Sequence, residues 1–397
     1  MRIVFLAPFG IRPKGTVQAR MLPLAKALQA RGHELEIVAP PYTNPADAGL
    51  VEQVEGVTVR NVALGPAIGL LAAPLIAWRM LRTALDQQPD LIHLFKPKGY
   101  GGLAALLLLV LRQCGLKLPL LVVDSDDREG TGGMNDQHPY SWPEKRLFAF
   151  QEQVLTRWAD GVTVASRALE SLAWGMGARQ QRTLYLPNGP LLRPTGDRLA
   201  GRQRFGIAPD LPVLLLYTRF FEFSQQRLHQ VLERLCQWLP QLRVLVVGLG
   251  PRGEERELEQ AAFVAGFGDA VVMAGWQEPA ALPDCLAAAD AAIYLFDDSL
   301  LNRTKCPAKL AELAAAGMPL AAERVGQVGE YLVHNESALL VTSGDVDGLV
   351  EAAQRLLADR ELASRLGAAA AQRVRIQFAW ENAAVRLEQL YDEVRRS

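Results

Sequence analysis

Short apolar runs alternate along the chain with longer segments in which apolar residues recur every three or four positions. The runs IVFLAP, ELEIVAP, DLIHLF and PLLVVDS are typical of buried strands. Between the first two lies VQARMLPLAKALQARG, whose apolar spacing is that of an amphipathic helix. This alternation predicts an α/β fold in which parallel strands are joined by right-handed helical crossovers.

The pattern breaks near residues 187–212, where PNGPLLRPTGD is rich in proline, glycine and polar residues. It then restarts with PVLLLYTRF, LRVLVVGLG, DAVVMAGW and AAIYLF, again separated by helical stretches. We expect two Rossmann-like, doubly wound parallel-sheet domains, residues 1–195 and 196–377, facing across a cleft. Ligands of such folds bind at the carboxyl ends of the strands.

Composition and charge narrow the class of protein. The chain has 397 residues, more than one hydrophobic core usually supports. Lysine and arginine number 42 against 43 acidic residues, which argues against a nucleic-acid partner. Its four cysteines form no CxxC pair, and the opening MRIVFLAPFG lacks the layout of a signal peptide. These features favour a cytoplasmic enzyme.

Two apolar segments raise the question of membrane contact. Residues 62–78 contain two prolines and two glycines, and residues 103–111 are too few to span a bilayer. Buried helices of an α/β domain explain both segments. The alternative is peripheral contact at the inner face of the membrane, with Trp78, Arg79 and Arg82 at the interface.

Two glycine-containing turns follow strands. Gly15 and Thr16 join the first strand to the first helix, where backbone can approach an anion, although an ordinary turn explains them equally well. Residues 248–253, GLGPRG, match the dinucleotide fingerprint literally. They follow the second strand of their domain, and no acidic residue ends the next strand, so a turn that starts a helix is the better interpretation.

The segment NRTKCPAKLAELAAAGMP, residues 302–319, carries the strongest local signal. Pro307 opens a helix, and Lys309 and Glu312 share one face near its amino end. A lysine for phosphate and a carboxylate for ribose hydroxyls suit a nucleoside diphosphate. A solvated Lys–Glu pair on a surface helix is the alternative.

At this segment the chain resembles the retaining glycosyltransferases of family 4, which have the GT-B fold. The resemblance covers nearly the whole sequence and rests on short motifs in order. They are Arg31–Glu34 (RGHE), Pro89–His93 (PDLIH), Asp160–Ser166 (DGVTVAS), Pro187–Gly189 (PNG), Val247–Pro251 (VGLGP) and Gly326–Glu330 (GQVGE). The terminal helix, residues 378–397, is similar to one that crosses back to the N-terminal domain.

The resemblance implies a donor site for a UDP- or GDP-sugar. Arg219 stands where the family has its phosphate-binding arginine, and Glu312 aligns with the second glutamate of its E-x7-E motif, which binds ribose. Thr304 replaces the first glutamate, and Ser224 replaces a lysine that pairs with the arginine. Lys305 or Lys309 would supply the missing charge. The remaining donor-site candidates are Gly15, Thr16, Gly250, Trp276 and Thr304.

Acceptor candidates come from the N-terminal domain. VVDSDDREGTGG would line the cleft, with Asp126 or Asp127 accepting a hydrogen bond from the acceptor hydroxyl and Asp124 nearby. Lys96 and Lys98 would attract an anionic acceptor or phosphate. A metal at the DxD-like Asp124–Asp126, or a purely structural turn, are the alternatives. The family pattern implies no metal and no tightly bound cofactor.

The expected reaction is transfer of a sugar to a hydroxyl of a saccharide, lipid or small-molecule acceptor, with retention of anomeric configuration. Arg219, Lys309, Asp126 and Asp127 are the candidate catalytic residues. An epimerase of the same fold, or a saccharide- or nucleotide-binding protein without activity, remain alternatives. An NAD-linked oxidoreductase is a more distant one.

Overall fold

A computed structural model describes residues 1–12, 15, 17–65, 72–192 and 195–396. The chain divides into two compact units. The first comprises Met1–Gly189, Thr304–Cys306 and Phe378–Ser397, and the second comprises Pro190–Arg303 and Pro307–Gln377. Each unit is built on its own parallel sheet, which agrees with the predicted fold class.

The first unit contains an eight-stranded sheet with the order β3-β4-β2-β1-β5-β6-β7-β8. All neighbouring strands are parallel except β3 and β4, a hairpin whose β3 was not among the predicted strands. The strands are β1 (Arg2–Leu6), β2 (Glu34–Ala39), β3 (Val51–Val54), β4 (Val57–Asn61), β5 (Leu91–Phe95), β6 (Leu120–Ser125), β7 (Gly161–Val164) and β8 (Thr183–Tyr185).

Helices cover both faces of this sheet. They are α1 (Leu22–Ala30), α2 (Ala72–Asp86), α3 (Gly99–Gln113), α4 (Trp142–Trp158), α5 (Arg167–Gly175) and, from the chain's end, α15 (Trp380–Arg395). On one face α1 and α15 form a common core with β1 and β2, and on the other α2 and α3 pack on β5 and β6. The terminal helix is therefore part of the first unit's core, and Tyr391 and Leu387 have no exposed surface.

The second unit contains a six-stranded parallel sheet with the order β11-β10-β9-β12-β13-β14. Its strands are β9 (Val213–Tyr217), β10 (Arg243–Val247), β11 (Val271–Gly275), β12 (Ala291–Tyr294), β13 (Leu320–Glu323) and β14 (Leu339–Val341). Its helices are α6 (Arg198–Arg204), α7 (Gln225–Trp238), α8 (Glu254–Val264), α9 (Leu282–Ala287), α10 (Leu300–Thr304), α11 (Ala308–Ala315), α12 (Val328–Tyr331), α13 (Val346–Ala358) and α14 (Arg360–Gln377).

The apolar segments singled out in the sequence form ordinary helices where they are described. Residues 72–78 begin α2 and residues 103–111 lie within α3, while residues 66–71 lie outside the described part of the chain. None of the helices that the structure describes is long and apolar enough to cross a bilayer.

Candidate donor and acceptor sites

Strand order marks one place in the second sheet as a binding site. The chain proceeds from β9 to β10 on one side, and β12 lies on the other side of β9. Loops leaving β9 and β12 therefore diverge, which opens a crevice at their carboxyl ends where ligands of doubly wound folds bind. Residues 216–219, 222–223 and 293–295, together with Lys309, line a pocket there.

The turn after β9 presents Arg219 to solvent. Phe220, the next residue, is fully buried. Its φ of +66° is a backbone conformation that residues other than glycine rarely adopt. Its N–H donates to Thr218 Oγ1 at 2.8 Å, which fixes the turn. The buried phenylalanine anchors the turn in the core, so that the preceding arginine points outward. Strained residues of this kind often accompany functional sites.

Helix α11 brings Lys309 and Glu312 to the same strand end. Lys309 Nζ lies 4.3 Å from the centroid of the Tyr217 ring, a cation–π contact. The Tyr217 hydroxyl donates to Glu312 Oε2 at 3.3 Å. The last residue of β9 therefore contacts both helical side chains, and the Lys–Glu pair is not a freely solvated one, since Glu312 is only 9% exposed.

The glycine turn after β10 has a structural explanation. Gly248 has a φ of +119°, and a Cβ at this position would lie 1.9 Å from the Thr218 carbonyl oxygen. Gly250 N–H donates to Glu255 at 2.9 Å, and Arg252 N–H donates to Glu254 at 2.8 Å. Carboxylates thus occupy the amino end of α8, where an anion would otherwise bind. The turn brings two loops together, and any donor contact at Gly250 must compete with Glu255.

The other donor-site candidates of the second unit differ in their surroundings. Trp276 follows β11 directly and is 61% exposed. Ser224 caps α7, its hydroxyl accepting from the Arg227 N–H at 3.4 Å. Arg227 forms ion pairs with Asp297 at 2.5 Å and with Glu323 at 2.8 Å, so its charge is neutralised by two carboxylates.

In the first unit, Lys96 is the centre of a buried ionic cluster. It follows β5 with a φ of +57° and is 6% exposed. Its Nζ lies 2.8 Å from Asp126 and 2.5 Å from Asp127, two residues that follow the neighbouring strand β6. Lys98 bonds in turn to Glu129 at 2.5 Å. Both lysines are therefore neutralised within the protein.

The pKa values of the adjacent Asp126 and Asp127 are shifted in opposite directions. Burial, reinforced by neighbouring carboxylates and opposed by Lys96, raises the pKa of Asp126 to about 6. Burial acts the same way on Asp127, but the charge and hydrogen bond of Lys96 outweigh it and lower the pKa of Asp127. Asp127 is also the more accessible of the pair, with 20% of its side chain exposed against 10% for Asp126.

Asp124 is held by an arginine that the sequence reasoning missed. Arg20 donates to its two carboxylate oxygens at 2.8 and 2.6 Å, and Thr163 Oγ1 donates at 2.5 Å. Arg20 also donates to Asn188 of the PNG segment at 2.9 Å. Asp124 has no exposed surface. Direct contact with an acceptor, as the sequence predicted, would require breaking this network, so Asp124 is better suited to positioning its neighbours.

The apolar residues around Arg20 in the sequence indicate that its side chain is buried. Val17, Met21 and Leu24 share its helical face, and an arginine among apolar residues at these spacings must find a buried partner. Residues Val17–Met21 form a single π-helical turn, which turns the buried guanidinium toward β6. Such irregular turns are frequent at functional sites.

Thr304, the last residue of α10, and the two residues after it belong to the first unit. The Thr304 carbonyl accepts a hydrogen bond from Ser166 at 2.7 Å, and the residue has no exposed surface. Lys305 is 8% exposed, and its charge helps to lower the pKa of Asp127. The structure thus groups Lys305 with the acidic cluster and Lys309 with Tyr217.

The first-loop candidates are only partly described. Gly15 is exposed, and a Cβ added to it would meet nothing within 4 Å. Among the described residues, none lies close enough to require a glycine at this position. Thr16 lies outside the described residues.

Family models match both units. Residues 15–189 match the model described as glycosyl transferase 4-like domain, and residues 212–359 match that of glycosyl transferases group 1. Between them they account for most of the chain, and the order of the two domains agrees with the order of the motifs.

Related proteins span almost the whole chain. The phosphatidyl-myo-inositol mannosyltransferase of Mycobacterium leprae is 25% identical over 404 residues, covering 100% of this chain and 98% of the relative. The D-inositol 3-phosphate glycosyltransferase of Geodermatophilus obscurus is 28% identical, covering 94% of this chain and 83% of the relative.

Solved structures show the same fold. Sucrose-phosphate synthase from Thermosynechococcus elongatus matches with a TM-score of 0.74 and 21% identity, over 100% of this chain and 99% of the other. Anabaena HepE in complex with UDP matches with a TM-score of 0.72 and 20% identity, over 99% of this chain and 100% of the other. With two parallel-sheet units, a family model on each and related enzymes along its full length, the chain belongs to the family 4 glycosyltransferases of GT-B fold, which use nucleotide sugars.

Proposed function

We propose that this glycosyltransferase transfers a hexosyl group from a UDP- or GDP-sugar to a hydroxyl acceptor with retention of anomeric configuration. The proposal rests on Arg219 and Lys309, which line the crevice beside Tyr217, and on Glu312, which accepts a hydrogen bond from that tyrosine next to the crevice. Two cations and one carboxylate at a strand-order switch point suit a nucleoside diphosphate.

In this proposal Arg219 and Lys309 bind the diphosphate. The leaving group gains negative charge as the bond from the anomeric carbon to the phosphate oxygen breaks, and pre-positioned cations stabilise that charge most in the transition state. Glu312 accepts hydrogen bonds from the ribose hydroxyls. Its hydrogen bond from Tyr217 orients the carboxylate for this role. Trp276, exposed at the carboxyl end of β11, is available to contact the donor.

The acceptor side is proposed to lie at the acidic cluster of the first unit. Asp127, ionised and partly exposed, would accept a hydrogen bond from the attacking hydroxyl. Asp126 and Lys96 hold it in place, and Asp124 with Arg20 supports the strand from which it extends. Because both lysines are already paired, this cluster suits the hydroxyls of a polyol or sugar better than a phosphate. The names of two related enzymes specify phosphatidyl-myo-inositol and D-inositol 3-phosphate, which makes a hydroxyl of these two compounds a rational first acceptor to test.

The proposed reaction is a substitution at the anomeric carbon of the donor sugar. The bond from that carbon to the diphosphate oxygen breaks, and a bond to the acceptor oxygen forms on the same face of the sugar. As the new bond forms, the acceptor proton leaves its hydrogen bond to Asp127 and passes to the departing diphosphate oxygen. Donor activation then rests on Arg219 and Lys309.

Product analysis with isotope-labelled donors tests the proposal. UDP- and GDP-hexoses are incubated with saccharide, inositol and inositol-lipid acceptors, and products are examined by NMR for linkage and anomeric configuration. We expect an acceptor-dependent glycoside with the donor's configuration, persisting in the presence of a chelator and falling at least 100-fold in Arg219→Ala. Sugar isomerisation without acceptor would support an epimerase instead, and an inverted product would contradict retention.

A further inference from the structure

Two partly buried tyrosines of the first unit have hydroxyl groups that are open to a ligand. Tyr42 lies in the loop after β2 and is 38% exposed, and Tyr140 lies just before α4 and is half-buried. Among the residues that the structure describes, none forms a hydrogen bond with either hydroxyl. The hydroxyl of a buried tyrosine usually has such a partner. We call Tyr42 and Tyr140 the tyrosine pair.

Each ring of the tyrosine pair is held by an aromatic neighbour on a helix. The rings of Tyr42 and Tyr100 pack edge to face with their centroids 5.3 Å apart, and those of Tyr140 and Phe148 do so at 5.1 Å. Tyr100 belongs to α3 and Phe148 to α4. Edge-to-face packing fixes a ring without using its hydroxyl. A ring that is already fixed loses little freedom when a ligand binds to it.

The tyrosine pair borders the acidic cluster of the first unit. Lys98 Nζ lies 5.7 Å from the Tyr140 ring centroid and 2.5 Å from Glu129. Burial raises the pKa of Tyr42, and the nearby Tyr140, Tyr100 and Glu129 raise it further. Burial and Glu129 raise the pKa of Tyr140 as well. Both tyrosines are therefore close to the same buried carboxylate, and both keep the proton that lets them donate a hydrogen bond.

The charges beside the tyrosine pair are balanced. Lys98 Nζ pairs with Glu129 and also donates to Asn135 Oδ1 at 3.1 Å. Lys96 Nζ lies 3.5 Å from the same glutamate. Because cations and carboxylates neutralise each other here, net charge favours neither an anion nor a cation. Recognition at this place must therefore rest on packing against the tyrosine rings and on hydrogen bonds to neutral phenols.

We propose that the tyrosine pair is a ring-binding subsite of the acceptor site, and that the acceptor is a cyclic polyol or a pyranose. Such a ring has an apolar C–H face, which packs on tyrosine rings, and hydroxyls at its edge, which bond to the phenols. The reacting hydroxyl lies at Asp127, so this inference rests on the proposed function. An acyclic polyol offers the same hydroxyls but lacks the flat face, and ordering its chain lowers its affinity.

Saturation-transfer NMR tests the subsite directly with the full chain, in the presence of UDP or GDP. The probes are myo-inositol, methyl α-D-mannopyranoside, the acyclic D-mannitol and the aromatic benzyl alcohol. The wild type should saturate the C–H protons of the two ring compounds about fivefold or more above those of the other two. Tyr42→Ser/Tyr140→Ser should lower the ring signals by about fivefold or more, as the loss of aromatic contacts implies.

Two further variants keep this test independent of folding defects. Tyr42→Phe/Tyr140→Phe retains both rings and their packing, and should lower the ring signals by about threefold through the loss of the phenol hydrogen bonds. Trp174→Ser is the matched control. Trp174 is 37% exposed and lies in the last turn of α5, which starts at the carboxyl end of β7 and returns toward the opposite edge of the sheet. This variant should give wild-type signals, and all variants should bind the nucleotide as the wild type does.

Glycosyl transfer to the two ring compounds is the second readout. Their KM should rise about fivefold or more in Tyr42→Ser/Tyr140→Ser, with the donor KM unchanged. Ring signals and acceptor KM at wild-type values in both double variants would overturn this inference and leave the proposed function intact. So would a wild type that saturates neither ring compound, or that prefers D-mannitol or benzyl alcohol. A wild type that neither binds a nucleoside diphosphate nor transfers a sugar would contradict the proposed function, and this inference with it.

Discussion

Tyr217 donates a hydrogen bond to Glu312 across 3.3 Å, linking the last residue of β9 to the second turn of α11. The same tyrosine ring lies under Lys309. One side chain thus orients both the carboxylate proposed to bind ribose and the ammonium proposed to bind diphosphate. Sequence inspection named the two helical residues but not the tyrosine, because the contact joins positions 95 residues apart.

Tyr217→Phe should weaken nucleotide binding modestly. The substitution removes the hydroxyl but leaves the ring under Lys309, so a loss of one hydrogen bond, about 1 kcal/mol or a three- to tenfold rise in donor KM, is expected. Tyr217→Leu removes both contacts and should raise KM further. Tyr100→Phe, in the first unit, serves as the control for loss of a tyrosine hydroxyl. A donor KM unchanged in both Tyr217 variants would rule out the positioning role.

Arg20→Met should destabilise the first unit severely. It leaves the Asp124 carboxylate buried without its partner, at a cost of about 3–5 kcal/mol in the free energy of unfolding. Arg20→Met/Asp124→Leu removes both charges and should recover much of the loss. The control is Arg2→Ala, whose partner Glu34 is 76% exposed and whose loss should cost about 1 kcal/mol or less. Denaturant titrations measure all three. Equal costs for Arg20→Met and Arg2→Ala would show that the buried pair is not structural.

Gly248→Ala should perturb the donor site through the backbone. A methyl group would clash with the Thr218 carbonyl, and Arg219 follows that residue directly. We expect a loss of about 3 kcal/mol or more in stability, together with weaker nucleotide binding. Gly266 is the control, because it also has a positive φ, +80°, but its added Cβ meets nothing within 4 Å. Gly266→Ala should cost about 1 kcal/mol and leave binding unchanged. Normal nucleotide affinity in Gly248→Ala would separate this turn from the site.

Stability should fall on acidification because of His93. Complete burial lowers the pKa of His93 to about 3, and its ring contacts the Tyr391 hydroxyl at 2.7 Å. The depressed pKa contributes stability that is present above the unfolded value of 6.5 and lost as the pH falls toward 3. Between pH 7.5 and pH 5 this amounts to about 2 kcal/mol.

Unfolding titrations at those two pH values check this prediction. His93→Gln should show a drop smaller by about that amount, since its amide does not titrate. Tyr391→Phe keeps the buried imidazole and should retain the wild-type drop. If His93→Gln and wild type lose equal stability between the two pH values, the histidine does not titrate as described.

The fold could be predicted because the spacing of apolar residues along the chain distinguishes strands from helices. Alternating strands and helices fixed two parallel sheets, and the missed β3 carries a hairpin turn at Glu55 and Gly56 rather than a distinctive apolar run. Lys309 and Glu312 were identifiable because both lie within one helix turn of each other. Their neighbour on the strand, Tyr217, was not identifiable, because spacing along the sequence does not show which residues of different elements are in contact.

The acidic cluster of the first unit shows a second limit of prediction from sequence. Asp126, Asp127, Lys96 and Lys98 were all recognised, but as separate candidates with free charge. The structure pairs Lys96 with Asp126 and Asp127, and Lys98 with Glu129, which argues against the anion binding expected of the two lysines and leaves the hydroxyl binding expected of the aspartates. A pattern of charges in sequence indicates where ionic groups lie, whereas only the fold shows which charges neutralise each other.

Arg219 and Lys309 of the crevice beside Tyr217, together with Glu312 that bonds to this tyrosine, are proposed to bind a nucleoside diphosphate. Calorimetric titration of wild type, Glu312→Gln and the exposed control Glu336→Gln with UDP, GDP, ADP and NAD tests it most directly. We predict that one nucleoside diphosphate binds to wild type and Glu336→Gln alike, and at least tenfold more weakly to Glu312→Gln. Equal affinity for Glu312→Gln, or binding of NAD alone, would contradict the account.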